Sequence, residues 1–415
     1  MQQNIKKDYF WNTLGVFLQN AISPLLLIAI TRINGIFDSG IFSFAFSVAI
    51  IFWAIGMWGG RTYQVSDVNQ EFSHRSYIMV RLLLAVLMMV GAILFVIVNH
   101  YDAAKSSVIM ALVLFKVIES IADVIYGILQ VHSRLYVVGK SLTYKAFGGF
   151  ITFVVIDILT KDIFLACVGI VAVNVIVFLL YDLLVARRLE NIRMKFSRLG
   201  QYTESTLTII RRCSPVFAVL FLAMFSLNIP RYFVDLYHEE EIGYFGIIAM
   251  PVTLVVLLVS FILQPNVVRL SKLYDKKKYL KFNKVVKRLI SITSLIGLVL
   301  LAATFIFGIP ALKLLFGIDF SDYQPALMIL IVGGIINALV GIFINILTII
   351  RHIRAQFYIL LLTNIILAVV SMNIIKEQGL LGGVSLFAAT SLIQVVLLAA
   401  VYIIVLKKAT NAEKN

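Results

Sequence analysis

The chain has 415 residues, 61% of them hydrophobic and 14% charged, with a formal net charge of +15. This composition excludes a soluble globule with a polar skin. The positive charge does not mark a nucleic-acid binder, because the basic residues sit in loops between apolar stretches, where they face anionic lipid headgroups, and not along one exposed groove.

In chain order, the apolar stretches lie at about 10–31, 38–60, 77–99, 107–131, 141–160, 162–186, 208–230, 242–265, 286–308, 326–350, 355–375 and 379–406. Roughly 20 apolar residues cross the hydrocarbon as a helix. Only helices satisfy their own backbone groups locally in lipid, and no period-2 alternation argues for a barrel. The expected fold is therefore all-α, an integral membrane protein of twelve transmembrane helices with no loop large enough for a soluble domain. The segment Met1–Asp8 reads as a polar stub before a long first span and not as a cleavable signal. Cys167 and Cys213 fall in or beside apolar runs and suggest neither a disulfide framework nor a metal site.

Lys and Arg alternate between the loops, heavy then light. With the N-terminus and every second connection assigned to the cytoplasm, that side receives 29 of them. The other side receives Arg32, Lys105, Lys161, Arg231, Lys313 and Lys376, and Lys116 lies inside a span. Translocating cations is unfavourable, so the asymmetry predicts a multi-pass protein of the cytoplasmic (inner) membrane with both termini cytoplasmic. Two inner loops are strongly basic: 187–212 holds seven Lys and Arg, and 269–288 holds nine, with an amphipathic surface helix expected in the second. The first of these loops divides the chain into lobes of six spans each, 1–200 and 201–415. An even number of spans per half makes any repeat parallel, about a pseudo-two-fold axis along the membrane normal. Arg32 followed by Gly40-Ile41-Phe42, and Arg231 followed by Gly243-Tyr244-Phe245, are the matching landmarks.

Ionisable residues at membrane depth are functional candidates by default. Lys116, Glu119 and Asp123 share one face of the fourth span, since steps of three and seven residues return within about 60° on a helix. Two readings stand. One is a local Lys116–Glu119 ion pair with Asp123 near the wet end, serving packing. The other is an ion-coupling site for a proton or Na⁺, in which two like charges beside one cation raise a carboxyl pKa. Arg32 and Arg231, at the outer ends of spans 1 and 7, either snorkel to the interface or bind an anionic group in a cleft. Arg61 is a similar candidate, whereas Lys140 and Lys145 read as positive-inside markers. Pro24, Pro215, Pro230 and Pro251 permit bends. Gln19, Asn20, Asn228, Asn337 and Asn345 are expected to hydrogen-bond between helices.

No enzyme signature emerges. His74, His100, His132, His238 and His352 lack metal-ligand spacing, no phosphate-cradling glycine loop precedes a lysine, and Glu239-Glu240-Glu241 with Asp235 reads as a solvated acidic face. No catalytic residue, metal or cofactor is assigned.

Three segments carry a resemblance. Gln264-Pro265 with Arg269-Leu270 resembles a "P…sRl" segment before a basic loop. Leu314-Leu315-Phe316-Gly317-Ile318-Asp319-Phe320 resembles an "lfG–x–x–F" outer turn. Gly379-Leu380-Leu381-Gly382-Gly383 resembles a "G–x–x–Ga" start of the last span. In order and spacing, with the Arg32/Gly40 and Arg231/Gly243 junctions, they resemble the polysaccharide transporter family, the O-antigen and capsular repeat-unit flippases of the multidrug/oligosaccharidyl-lipid/polysaccharide exporter superfamily. The chain departs from the family at Pro230, where many members carry an acidic residue. The resemblance implies two six-helix lobes around a central cavity and alternating access carrying a polyprenyl-diphosphate-linked oligosaccharide between leaflets, with no bond changed. Arg32, Arg61, Lys116 and Arg231 are then the candidate cavity cations. Membrane lipids and polysaccharide-assembly proteins such as a polymerase are the other implied partners. The alternatives are a multidrug cation antiporter of the same superfamily, whose cavity should be acidic or aromatic, and a non-transporting scaffold for polymer-synthesis enzymes.

Overall fold

The computed structural model describes residues 2–67, 71–189 and 199–414, and among these there is no strand. Fourteen α-helices follow one another: α1 Gln2–Ile33, α2 Ile36–Met57, α3 Gly60–Ser66, α4 His74–Asn99, α5 Ala103–Val131, α6 Leu135–Thr160, α7 Ile163–Val177, α8 Leu183–Leu189, α9 Leu199–Tyr237, α10 Ile242–Ile248, α11 Met250–Asp275, α12 Tyr279–Phe316, α13 Gln324–Ile349 and α14 Ile353–Lys414. A π-helical turn, Phe178–Asp182, joins α7 to α8. Among the described residues, nine stretches are long and apolar enough to cross a membrane, and the chain is a multi-pass membrane protein. The expected spans beyond those nine lie on three further stretches. One is α5, where three of Lys105, Lys116, Glu119 and Asp123 fall in any 18 consecutive residues. The second is the 26-residue α11, and the third is the second arm of α14, a 62-residue helix broken at Gly379.

The chain divides into two compact units, Met1–Phe217 and Ala218–Asn415. The division falls inside α9 and not in the basic loop, part of which (residues 190–198) lies outside the described residues. Side-chain contacts explain why the first half of α9 belongs to unit 1. Trp58 stacks on Phe217 at 3.5 Å between ring centroids and donates Nε1–H to the Ile210 carbonyl at 3.1 Å. Arg212 donates to Glu71 at 2.7 Å and to the Tyr63 hydroxyl at 3.0 Å.

In unit 1, α5 is the hub, packed against α2, α3, α4, α6, α7 and α8. Its small residues admit neighbours: a Cβ on Gly127 would strike the Gln64 side chain, and Ser120 lies against Gly56 and Met88. Helices α1 and α6 run side by side in the same direction. Asp8 accepts from the Tyr136 N–H at one end, and Asn34 donates to Asp157 at the other. Between these ends Gly15 and Gly139 bring the two backbones together: a Cβ on Gly139 would overlap the main chain of Trp11 and Asn12. This is the small-residue contact that lets membrane helices gain dispersion energy without a hydrophobic driving force.

In unit 2 the hub is α13, packed against α10, α11, α12 and α14. It contains no charged residue, and its Gly333 and Gly334 sit against Phe387 and Val252. The outer turn Leu314–Phe320 has a simple logic. Gly317 takes φ 77° and ends α12 in the left-handed region, which a side chain disfavours. Phe316 and Phe320, both fully buried, meet edge to face at 6.1 Å. The Ser321 hydroxyl and the Lys313 ammonium hold the Asp319 carboxyl down at about 2. Gly379 breaks α14 at φ 55°, and the Leu380 N–H it exposes donates to Glu241 at 2.6 Å. Glu241 is therefore a helix cap and not part of a solvated acidic face. Pro251 opens α11 instead of bending a span, in the first turn, where a missing N–H costs little. The basic loop 269–288 is not a separate surface helix. It is the end of α11 and the start of α12, joined at a turn through Lys276–Lys278, with Lys277 at φ 55°.

Substituting Gly139 by Val should lower stability by about 1–3 kcal/mol through overpacking of backbone on backbone. Gly341→Ala, whose Cβ would enter open space, should be neutral or stabilising by up to about 1 kcal/mol. Thermal denaturation of the detergent-purified variants measures both, and equal midpoints would refute the close-approach account.

Candidate functional site

The polar side chains of α5 recur at 116, 119, 123, 126 and 130, steps of three, four, three and four residues that form one stripe along the helix. A charge on such a stripe is tolerable in hydrocarbon only with a partner. At the upper end, Lys116 donates to Glu119 at 2.6 Å and lies over the rings of Phe46, Trp53 and Phe115 at 5.0, 5.6 and 4.9 Å. The other Glu119 oxygen accepts from Gln19 of α1.

One turn on, Asp123 lies between two guanidiniums. Arg81 of α4 donates to one oxygen at 2.6 Å and Arg61 of α3 to the other at 3.3 Å. Arg81 is 2% exposed and also donates to the carbonyls of Gly56 and Met57. Those carbonyls end α2, where Trp58 turns left-handed at φ 39°, so the cation meets orphan acceptors and the negative end of a helix dipole. Arg61, 27% exposed, donates Nε–H and Nη2–H to Gln130 at 3.2 and 2.9 Å and lies 5.9 Å over the Tyr126 ring.

Behind Tyr126 is a second buried pair. Lys145 of α6 donates to Asp182 at 2.6 Å and to the Tyr126 hydroxyl at 2.8 Å, and that hydroxyl also meets Ser141 at 2.9 Å. Asp182 ends the π turn and is fully buried. Four cations thus face three carboxylates along and behind this stripe: Tyr126 joins the Asp123 set to the Lys145–Asp182 pair, the Lys116–Glu119 pair lies one turn away, and Arg61 is the most exposed cation.

Of the residues singled out from sequence, Arg61, Lys116, Glu119 and Asp123 come together in unit 1. Glu119 and Asp123 do not share one cation: Lys116 serves the first and two arginines serve the second, and Asp123 is buried and not at a wet end. Arg32 is exposed at the C-terminus of α1, where it complements the helix dipole. Arg231 belongs to unit 2. Its guanidinium lies 5.4 Å over the Phe245 ring, and its buried Nε has no acceptor among the described residues.

Three residues were missed or misread. Arg81, one of the 29 Lys and Arg that the loop count assigns to the cytoplasmic side, is a buried partner of Asp123, a position that the carboxylate on α5 requires and that the charge count hides. Lys145 is not a headgroup marker: it lies three turns into α6 with a carboxylate partner. Asp157 is fully buried beside Asn34 with its Oδ2 unpartnered among the described residues. The asparagines Asn20, Asn228 and Asn345 bond back to the carbonyls of Val16, Met224 and Gly341 in their own helices. The polar network between spans in unit 2 is made instead by Ser226, Thr363, Asn364 and Gln394.

No protein-family model matches the chain. It is similar to the capsular polysaccharide biosynthesis protein CapF of Staphylococcus aureus, 25% identical over 337 residues that cover 80% of this chain and 83% of the relative. Among solved structures it resembles an inward-facing multidrug resistance MATE family transporter of the MOP superfamily, with a TM-score of 0.74 at 12% identity, covering 96% of this chain and 99% of the other. It also resembles the lipid II flippase MurJ in an inward closed conformation, with a TM-score of 0.66 at 13% identity over 93% and 86% of the two chains. At these identities the structural likenesses establish the fold.

Removing Arg81 leaves Asp123 with one distant cation and two helix-end carbonyls unpaired. Arg81→Met should therefore cost about 3–5 kcal/mol, against about 1 kcal/mol or less for Arg61→Gln at its more exposed position. Thermal unfolding of the purified variants tests the order, and a reversed order would show that Arg61 is the structural cation.

Proposed function

We propose that this chain, which has the fold of the multidrug/oligosaccharidyl-lipid/polysaccharide exporters, is a flippase. Its substrate is a polyprenyl-diphosphate-linked oligosaccharide, moved across the cytoplasmic membrane by alternating access during surface polysaccharide synthesis. The observation that carries the reading is the cation surplus buried in unit 1, with Arg61 at its exposed edge. A diphosphate cannot enter hydrocarbon unaided, and preorganised cations in a low dielectric replace its water. Arg61 suits this role. It is held by a neutral amide and by a long contact to Asp123, so an incoming phosphate oxygen competes only weakly with existing partners. Arg81, Lys116 and Lys145 keep the network positive without leaving their partners. The name of the staphylococcal relative, a capsular polysaccharide biosynthesis protein, supports the same substrate class. A cationic drug would meet a surplus of like charge here, which disfavours the antiporter. The cation asymmetry between loops supports an orientation with both termini in the cytoplasm. No covalent bond changes during such a step, so no catalytic group is required.

The test is translocation of a labelled polyprenyl-diphosphate oligosaccharide in liposomes holding the purified protein. The wild type should move it. Arg61→Gln should slow it at least tenfold, about 1.4 kcal/mol, while Lys313→Gln at the exposed outer turn should match wild type. Liposomes in which the wild type moves no lipid would overturn the flippase and leave the antiporter and scaffold readings, and an unimpaired Arg61→Gln would remove this residue from the substrate path.

A further inference from the structure

We infer that the basic hairpin joining α11 to α12 is a capture surface that selects lipid diphosphates bearing an acidic saccharide. This rests on the flippase reading and its cytoplasmic orientation. Between Arg269 and Arg288 the chain carries nine Lys and Arg against one acid, Asp275. All nine are exposed, and none forms an ion pair or side-chain hydrogen bond among the described residues. The buried cations of unit 1 are compensated closely within the protein, as the side chains along α5 show, whereas an exposed stretch this unbalanced has its counter-charge outside the protein.

The geometry gives that counter-charge a height. Helix α12 has 38 residues and is about 57 Å long, nearly twice the roughly 30 Å of hydrocarbon. Its uncharged run, Leu289–Leu312, is about 36 Å and fills the hydrocarbon by itself. Tyr279–Arg288 therefore stands about 15 Å further out, beyond a headgroup layer only about 5–7 Å deep. The extension is built and not frayed. Phe282, Val286 and Leu270 are fully buried, Tyr274 packs on Phe282 at 5.6 Å, and the Tyr402 hydroxyl donates to Asn283 at 2.9 Å. A loop that only retained charge on the side of synthesis would need the cations and no apolar ridge beneath them.

The cations consequently stand at graded heights. Lys287 and Arg288 lie at the headgroup plane, Lys281 and Lys284 above it, and Lys276–Lys278 at the tip. The tip lies about one Debye length, roughly 8 Å, above the headgroups, so an ordinary anionic phospholipid engages only the lowest cations. A diphosphate at the headgroup plane, carrying a saccharide with carboxylates that rise into water, spans the whole ladder. Such a surface raises the encounter rate and acts on capture more than on turnover.

The experiment compares two lipids with the same polyprenyl diphosphate, one bearing a neutral and one a uronic-acid-containing oligosaccharide, in liposomes with the wild-type protein or a variant with Lys276, Lys277 and Lys278 changed to Gln. These side chains are exposed at a turn, so the variant keeps the fold. Wild type should show a KM at least about threefold lower for the acidic lipid, with equal kcat. The preference should vanish in the variant and in 0.5 M salt, on the order expected from screening. A wild type that moves both lipids with equal KM, or a variant that keeps the preference, overturns the capture surface and leaves the flippase standing. A variant that loses phosphatidylglycerol from co-purified lipid as strongly as it loses the acidic substrate also overturns it, in favour of a general phospholipid contact. A wild type that moves neither lipid removes the flippase reading and this inference with it.

Discussion

Charge at membrane depth must be compensated within the protein, and unit 1 is arranged around that requirement. Asp123 sits on the most enclosed helix of the unit, so its partners come from α3 and α4. Arg81 in turn needs more acceptors than one carboxylate offers, and the exposed carbonyls at the end of α2 supply them. One acidic residue therefore ties four helices at one level. Lys145 and Asp182 repeat the solution a turn lower, with Tyr126 contacted by both groups of cations. Removing one partner from such a set leaves a bare charge in a low dielectric, which is why these residues depend on one another more than pairwise energies suggest.

The two hubs show how differently the same position can be filled. Helix α5 is gripped on nearly all sides and carries charge. Helix α13 is gripped in the same manner and carries none, and Gly333 and Gly334 bring its neighbours close. Unit 2 is held by packing together with a neutral hydroxyl and amide network among α9 and the two arms of α14. At membrane depth, ion pairs are thereby concentrated in unit 1, while unit 2 holds the guanidinium of Arg231 over Phe245.

Much of this was legible in the residues because bilayer physics leaves few choices. Long apolar runs become helices, and the lone face of Lys116, Glu119 and Asp123 turned inward as its cost demands. The outer turn around Gly317 and the break at Gly379 were visible as motifs, and the structure supplies their reasons in two left-handed glycines. What escaped was pairing. Nothing local to Arg81 or Lys145 distinguishes a cation in the headgroups from one drawn under them by a carboxylate on another helix. Asn20, Asn228 and Asn345 look alike to Gln19 in sequence, yet only Gln19 has an acceptor on a neighbouring helix within reach. How α9 is shared between the two compact units is hidden for a similar reason. Trp58, Phe217 and Arg212 claim half of α9 for unit 1 through contacts between residues some 150 positions apart.

The π turn at Phe178–Asp182 closes with the Leu183 N–H on the Phe178 carbonyl, one residue wider than an α-turn. It amounts to one surplus residue lodged in an otherwise regular helix. A chain shortened by one position there would recover a plain helix and rotate everything beyond it by about 100°. Asp182 would swing away from Lys145, and an ammonium fully walled off from water would lose its counter-ion. This span should therefore tolerate many replacements of side chain but no change of length, so that its count of residues, more than their identity, is what inheritance must preserve.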